Sequence, residues 1–422
     1  MYKKETMANG LRIVSHQMPS RQSLALGIWI AVGGRYETAA NKGISHFLEH
    51  MLFKGTARYS CRKIKESIEG IGGSINGFTS EEATCFLVKI PAGYLKVALE
   101  ILSDMVLEPA LKQADIDKER TVILEEIKMY RDLPQSYVYE LLDRLLWPNH
   151  PLGMPVIGTV ESVGKIDRDS LSIFRRNYYT PSNIVISLAG AFDYQKFRNY
   201  VARIFGKENA KEKSTFQNVV QNQEGPGLDI LPKDTEQTHL ALGFHSLPRE
   251  HPLKYALSML HIILGANMSS RLFHELRENH GLAYEIGSAL KRYQETGAFL
   301  VHAGIDNHKV IPAIKLILKE LKKTTEKLVS YDEFKRAKDF YAGQLMLTLE
   351  DTLEHMLWIG ESTTTLNKTY SLHDVIAQIN KVDKEQIRNT ARMIFREDKL
   401  NVALIGPLNS REKDIAKVLR FA

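Results

Sequence analysis

The chain repeats itself, and the repeat restricts its fold more than any other feature. Leu24–Gly27 (LALG) recurs as Leu240–Gly243, and Phe86–Val88 (FLV) recurs as Phe299–Val301. The helical run that starts at Val97 (VALEILSDM) has a counterpart at Ile311 (IPAIKLILKEL). The matches keep their order at an offset of about 215 residues, which points to an ancient duplication. Each half opens on strand-like runs: LRIVSH, LALGIWIAV and ATCFLVKI in the first, HLALGFHS and GAFLVHAGI in the second. Longer stretches of helical period, such as Tyr94–Met105 and Leu253–Gly265, lie between and after them. The expected fold class is α+β: two homologous α/β-sandwich-like domains, each a mostly antiparallel sheet with helices on one face. Residues 206–227 (GKENAKEKSTFQNVVQNQEGPG) are polar and poor in large apolar side chains, so they read as a linker between domains at 1–205 and 228–422.

At 422 residues the chain is too long for one hydrophobic core, as the repeat also requires. Apolar residues at 44% and charged residues at 25% suffice for two ordinary cores. The two cysteines, Cys61 and Cys85, supply neither a disulfide framework nor a thiolate metal site. A formal charge of +6 is spread along the chain, and the densest basic run, Lys315 to Lys327, has the spacing of a solvated helix face. Nucleic acid is therefore not an expected partner. No run of about 18 apolar residues offers a membrane span. The polar lead MYKKETMANG enters a strand-like run without an apolar or Arg-rich targeting segment, so a cytoplasmic protein is expected.

The segment Ile44 to Thr56, ISHFLEHMLFKGT, has the pattern of a buried helix yet carries two histidines and a glutamate. At about 100° per residue, His46, Glu49 and His50 fall at roughly 0°, −60° and +40°, so all three share one face. Two imidazoles one turn apart reach a single divalent metal, and the glutamate between them reaches a water on it. This is the zinc-protease helix with its spacing reversed, H-x-x-E-H. On these residues alone, a buried helix whose histidines bond to backbone carbonyls is the competing reading.

A second helix discriminates between them, because a catalytic zinc needs a third protein ligand and one open position. The candidate is Asp115 to Arg131, DIDKERTVILEEIKMYR. With Glu119 as the reference direction, Ile116, Val122, Ile123, Glu126 and Tyr130 all fall within about 60° of it on a helical projection. Glu119 and Glu126 are thus expected within an apolar stripe, where carboxylates are costly unless paired or bound to metal. A metal accounts for both: Glu126 as the third ligand, Glu119 as the acceptor that orients a ligand histidine.

These segments resemble the pitrilysin–insulinase family of zinc peptidases, called inverzincins for the reversed motif. The branch to which the chain is most similar holds the mitochondrial processing peptidase β-subunit and its bacterial relatives. The resemblance runs through GISHFLEHMLFKGT, through GGSINGFTSEEAT from Gly72, through ERTVILEEI from Glu119 and through NMSSRLFHELRENHGLAYEI from Asn267. It implies one Zn²⁺ per chain on His46, His50 and Glu126, with Glu49 as general base. It further implies that Arg277 and Tyr284, from the C-terminal domain, hold substrate and stabilise the tetrahedral oxyanion. Asn76 and Gly77 match an edge strand that pairs with the substrate backbone. The family usually has alanine where Gly77 stands, and glycine makes that strand more flexible.

The implied function is a zinc endopeptidase, processing-peptidase-like, acting on short or unfolded peptides inside a closed chamber. Family members with four such domains face the first against the fourth. A chain with two is expected to form a homodimer in which Arg277 and Tyr284 act in trans. Two other classes compete: a catalytically inactive scaffold subunit of the same fold, and a peptide-binding module with a structural zinc. The intact ligand set opposes the first. Glu49 opposes the second, since a structural zinc is closed by a fourth protein ligand.

Overall fold

The computed structural model describes residues 2–206, 212–409 and 411–421. Among the described residues, eleven strands form two sheets. The first contains β1 (Tyr2–Thr6), β2 (Arg12–Gln17), β3 (Ser23–Ile30), β4 (Ser74–Thr79), β5 (Thr84–Pro91) and β6 (Ile184–Gly190), in the order β1-β2-β6-β3-β5-β4. The second contains β7 (Gly227–Pro232), β8 (Gln237–Ser246), β9 (Ala283–Arg292), β10 (Gly297–Asp306) and β11 (Leu400–Gly406), in the order β7-β11-β8-β10-β9.

The sheets match strand for strand once the β1 hairpin arm is set aside. Each has one parallel pair, β2 with β6 and β7 with β11, and the remaining pairs are antiparallel. The two LALG segments occupy β3 and β8, and the two FLV segments occupy β5 and β10. The repeat in the sequence is therefore a repeat in topology. After Ser23, β3 carries no polar side chain that needs water and is buried throughout because both of its faces are covered, whereas β4, at the sheet edge, alternates exposed and half-buried residues.

The compact units are not contiguous in sequence. One comprises Met1–Lys128, Met154–Gln217 and Leu345–Leu372; the other comprises Met129–Gly153, Asn218–Gln344 and His373–Ala422. In the first unit, one sheet face packs against helices that include Ile44–Leu52, Leu95–Leu107 and Tyr194–Phe205. Its other face is covered by helix Thr352–Leu366, whose Met356 and Ile359 meet Val14, Ala25, Trp29 and Val185. In the second unit, helices Lys254–Gly265, Val310–Glu326 and Lys384–Ile394 cover one face. Helix Pro134–Leu146 covers the other, with Leu142 against Ala241, Leu300 and Ala403.

Position along the chain would put 134–146 with the first domain and 352–366 with the second, and the fold reverses both. An apolar helix face specifies that a sheet is covered, not which of two equivalent sheets. Residues 207–211 of the expected linker lie outside the described residues, and 212–226 run without helix or strand. Phe216 stacks under the Arg35 guanidinium at 3.6 Å, and Ser214 bonds to Asn183, so the stretch up to Gln217 is strapped to the first unit, while Val219 and Gln221 bond to Glu295 and Thr296 of the second. Among the described residues no helix is long and apolar enough to cross a membrane.

The glycines of LALG are explained by these covering helices. A Cβ on Gly27 would stand 2.6 Å from Met356 Sδ, and one on Gly243 would stand 3.1 Å from Leu142 Cδ2. A closer approach still comes from Gly360, where a Cβ would lie 2.2 Å from the indole nitrogen of Trp29, which donates to Ser187 Oγ at 2.8 Å. Gly360→Ala should therefore destabilise the fold by about 1–3 kcal/mol, because overpacking outweighs the gain in helix propensity. Urea denaturation followed by tryptophan fluorescence measures this, and an unchanged or raised midpoint contradicts it.

Candidate metal centre

The motif helix, Ile44–Leu52, starts at Gly43, whose φ of 93° is in the left-handed region. A Cβ there would also meet the Ile157 carbonyl oxygen at 2.6 Å. The first N–H groups of this helix are capped from a distance: Glu37 accepts from Gly43 N at 3.0 Å and Ser45 N at 2.7 Å. Lys42 lies 3.3 Å from the same carboxylate and donates to the Gly34 carbonyl at 2.6 Å, with both side chains fully buried. A paired anion at a helix N-terminus fixes that end of the helix against its dipole. Ile44, Phe47, Leu48, Met51 and Leu52 then bury the apolar face. His46 and His50 stand together on the other side, with ring centroids 4.5 Å apart.

The second helix spans Gln113–Asp132 and buries Ile116, Glu119, Ile123 and Ile127. Its apolar stripe is narrower than the sequence suggested, because Val122 is 51% exposed and Tyr130 is 39% exposed. Glu119 is inside that stripe, while Glu126, with a side chain 25% exposed, stands at its rim. Glu119 Oε1 lies 2.8 Å from His50 Nδ1, and its second oxygen pairs with Lys54. Glu126 Oε2 lies 3.8 Å from His50 Nε2. One donor atom from each of His46, His50 and Glu126 lies within 4.8 Å of the others. The expected ligand trio is thus brought together.

The electrostatics fit a divalent cation. Burial, with His50 adding to it, pushes the His46 pKa down to about 3, so its imidazole is neutral and able to ligate. For His50, burial favours the neutral ring, but the bond to Glu119 and the charges of Glu49, Glu119 and Glu126 outweigh it and raise the pKa. Glu119 is affected by burial in the opposite sense, yet its bonds to His50 and Lys54 hold its pKa below the usual carboxylate range. Three carboxylates thus converge on two imidazoles and one ammonium. Two nitrogens and one carboxylate oxygen, with a further carboxylate alongside, match the donor set of a catalytic zinc. His50 Nδ1 is engaged by Glu119, which leaves its Nε2 on the side of Glu126.

Glu49 is 8% exposed, and burial raises its pKa against the opposing hydrogen bond from Thr79. Thr79 Oγ1 donates to Glu49 Oε2 at 2.7 Å. Asn76 and Gly77 lie on β4, which pairs with β5 on one side and ends the sheet on the other. The Asn76 side chain accepts from Gly77 N at 2.9 Å. A Cβ on Gly77 would meet Phe53 Cε2 at 3.0 Å and Glu49 Oε1 at 3.2 Å, so the glycine makes room beside Glu49.

Arg277 and Tyr284 belong to the second unit. The Arg277 guanidinium lies 5.0 Å from the ring centroids of both Phe273 and Tyr284, and Tyr284 is 73% exposed. They form one cluster with each other. Lys54, Glu37 and Thr79 were not among the expected site residues. Lys54 follows His50 by four positions, and Thr79 follows Gly77 by two on a strand, so periodicity could have found both.

The insulinase (peptidase family M16) model matches residues 12–160, and the peptidase M16 inactive domain model matches residues 165–341. A relative from Bacillus subtilis, named an uncharacterized zinc protease, is 38% identical over 411 residues, covering 96% of this chain and 98% of its own. One of the same description from Streptomyces coelicolor is 34% identical over 416 residues, covering 97% and 90%. The crystal structure of a protease from Helicobacter pylori superposes with a TM-score of 0.91 at 22% identity, over 96% of this chain and 99% of that one. At that identity the likeness concerns the fold alone.

Proposed function

Since the chain belongs to the insulinase family of zinc proteases, peptidase family M16, we propose that it is a zinc-dependent endopeptidase acting on short or unfolded peptides. His46, His50 and Glu126 hold one zinc ion per chain. Bound there, the zinc supplies Lewis acidity, polarising the scissile carbonyl and easing deprotonation of the attacking water. Glu49 accepts that water's proton and returns it to the leaving amine. Glu119, held by Lys54, fixes the His50 ring through Nδ1, so that Nε2 would be the nitrogen offered to a metal. The substrate backbone adds to β4 at Asn76 and Gly77 as an extra strand. Tyr284, assisted by Arg277, stabilises the developing oxyanion. These two residues come from the second chain of a homodimer, whose closed chamber excludes folded proteins.

The observation that carries this reading is the convergence of three ligating atoms beside a buried carboxylate. A scaffold has no use for such a costly group. The test is metal analysis beside a quenched-peptide assay. We expect about one zinc per chain, loss of cleavage on chelation, and recovery when zinc is restored. Full activity in metal-free protein rejects the metallopeptidase. A zinc-loaded protein that cleaves no member of a random peptide pool rejects the catalytic role in favour of the scaffold.

A further inference from the structure

The strand assigned to substrate also touches the base, from its inner side. Along β4 the side chains alternate: Asn76 and Phe78 are exposed, while Ile75, Gly77 and Thr79 turn inward. Both oxygens of Glu49 meet this inner row. Oε2 accepts the Thr79 hydroxyl at 2.7 Å, and Oε1 looks onto the space left by Gly77, where a Cβ would stand 3.2 Å away. Oε1 accepts no hydrogen bond from any other described residue. The terminal torsion of a glutamate is broad and two-fold, so burial alone does not select one orientation of its carboxylate.

We infer that Thr79 is a positioning residue that occupies Oε2 of Glu49 and so reserves Oε1 for proton transfer. It acts through Glu49, and its hydroxyl makes no hydrogen bond to His46, His50 or Glu126. Because its hydroxyl is carried by the edge strand itself, a peptide pairing with β4 steadies the strand and the base together. This inference rests on the reading of Glu49 as general base.

The test compares Thr79→Val, which keeps shape and removes the hydroxyl, with Thr79→Ser, which keeps the hydroxyl. In the full-length zinc-loaded protein, Thr79→Val should lower kcat about 10- to 100-fold, the equivalent of one hydrogen bond to a charged group. KM should stay within about twofold and zinc content should be unchanged, because neither depends on the proton-transfer oxygen. Thr79→Ser should recover most of the loss. A second readout does not need turnover. In crystals of the zinc-loaded Thr79→Val protein, the Glu49 carboxylate should be rotated or split between two orientations, while Thr79→Ser keeps one. An unchanged kcat in Thr79→Val, zinc lost in proportion to kcat, a Ser variant as poor as Val, or a single unaltered Glu49 orientation each overturns the inference. A wild-type protein that cleaves no peptide overturns the base reading instead, and Thr79 is then judged on the carboxylate orientation.

Discussion

Glu49→Gln is expected to abolish peptide hydrolysis, by on the order of 10³-fold or more in kcat, while leaving zinc bound and the fold intact. The substituted amide has the shape of the carboxylate and its oxygen still accepts from Thr79, so the geometry of the motif helix is preserved. What it cannot do is take a proton. Stability should be unchanged or slightly higher. Burial disfavours the ionised Glu49, and Glu126 repels it further, so a neutral replacement relieves both strains. The contrast is Glu126→Gln, which removes an anionic ligand and should release the metal. Zinc content, thermal melting and turnover on the two variants separate the roles. If Glu49→Gln retains activity, Glu49 is not the base; if it loses zinc, the carboxylate is holding metal instead of moving a proton.

The candidate metal site is legible in the sequence because its residues stand on helices, whose angular spacing is fixed. His46, Glu49 and His50 share a face by arithmetic alone, and the misplacement of Glu119 on an apolar stripe is visible without coordinates. The stripe itself is narrower in the fold than residue type suggests. Val122 and Tyr130 are apolar in type but exposed, so Glu126 joins His46 and His50 from the rim of the buried face instead of its middle. That rim position suits a ligand to a site that needs an open coordination position. The repeat in LALG and FLV announced two equivalent sheets, but not that each would be closed by a helix from the other half. Helices Pro134–Leu146 and Thr352–Leu366 follow similar elements and meet similar glycine-bearing strands, so local pattern contains no information about which sheet each covers. Thr79 is not legible in the sequence for a different reason. Its role depends on a long-range contact between an edge strand and a helix thirty residues earlier, and β-strand periodicity assigns a side without naming the partner.

Co-expressed Glu49→Gln and Arg277→Ala chains with different tags should yield tandem-purified heterodimers with about half the wild-type activity per dimer, although each homodimer is inactive. The reasoning is one of counting. If Arg277 and Tyr284 serve the partner's zinc, the Arg277→Ala chain supplies an intact metal site and receives an intact Arg277 from the Glu49→Gln chain. The other site in the same dimer carries both defects. If instead each chain completes its own site, neither chain in the heterodimer is whole and no activity returns. The Arg277→Ala homodimer should retain its zinc, because Arg277 lies in the unit without His46, His50 and Glu126. Its guanidinium stacks on Tyr284 and Phe273, so Arg277→Ala also frees the exposed Tyr284 ring. Arg277→Lys, which keeps the charge but not the flat face, should therefore recover little. Heterodimers recovered in good yield with no turnover reject the trans arrangement, as do differently tagged chains that never co-purify and run as monomers.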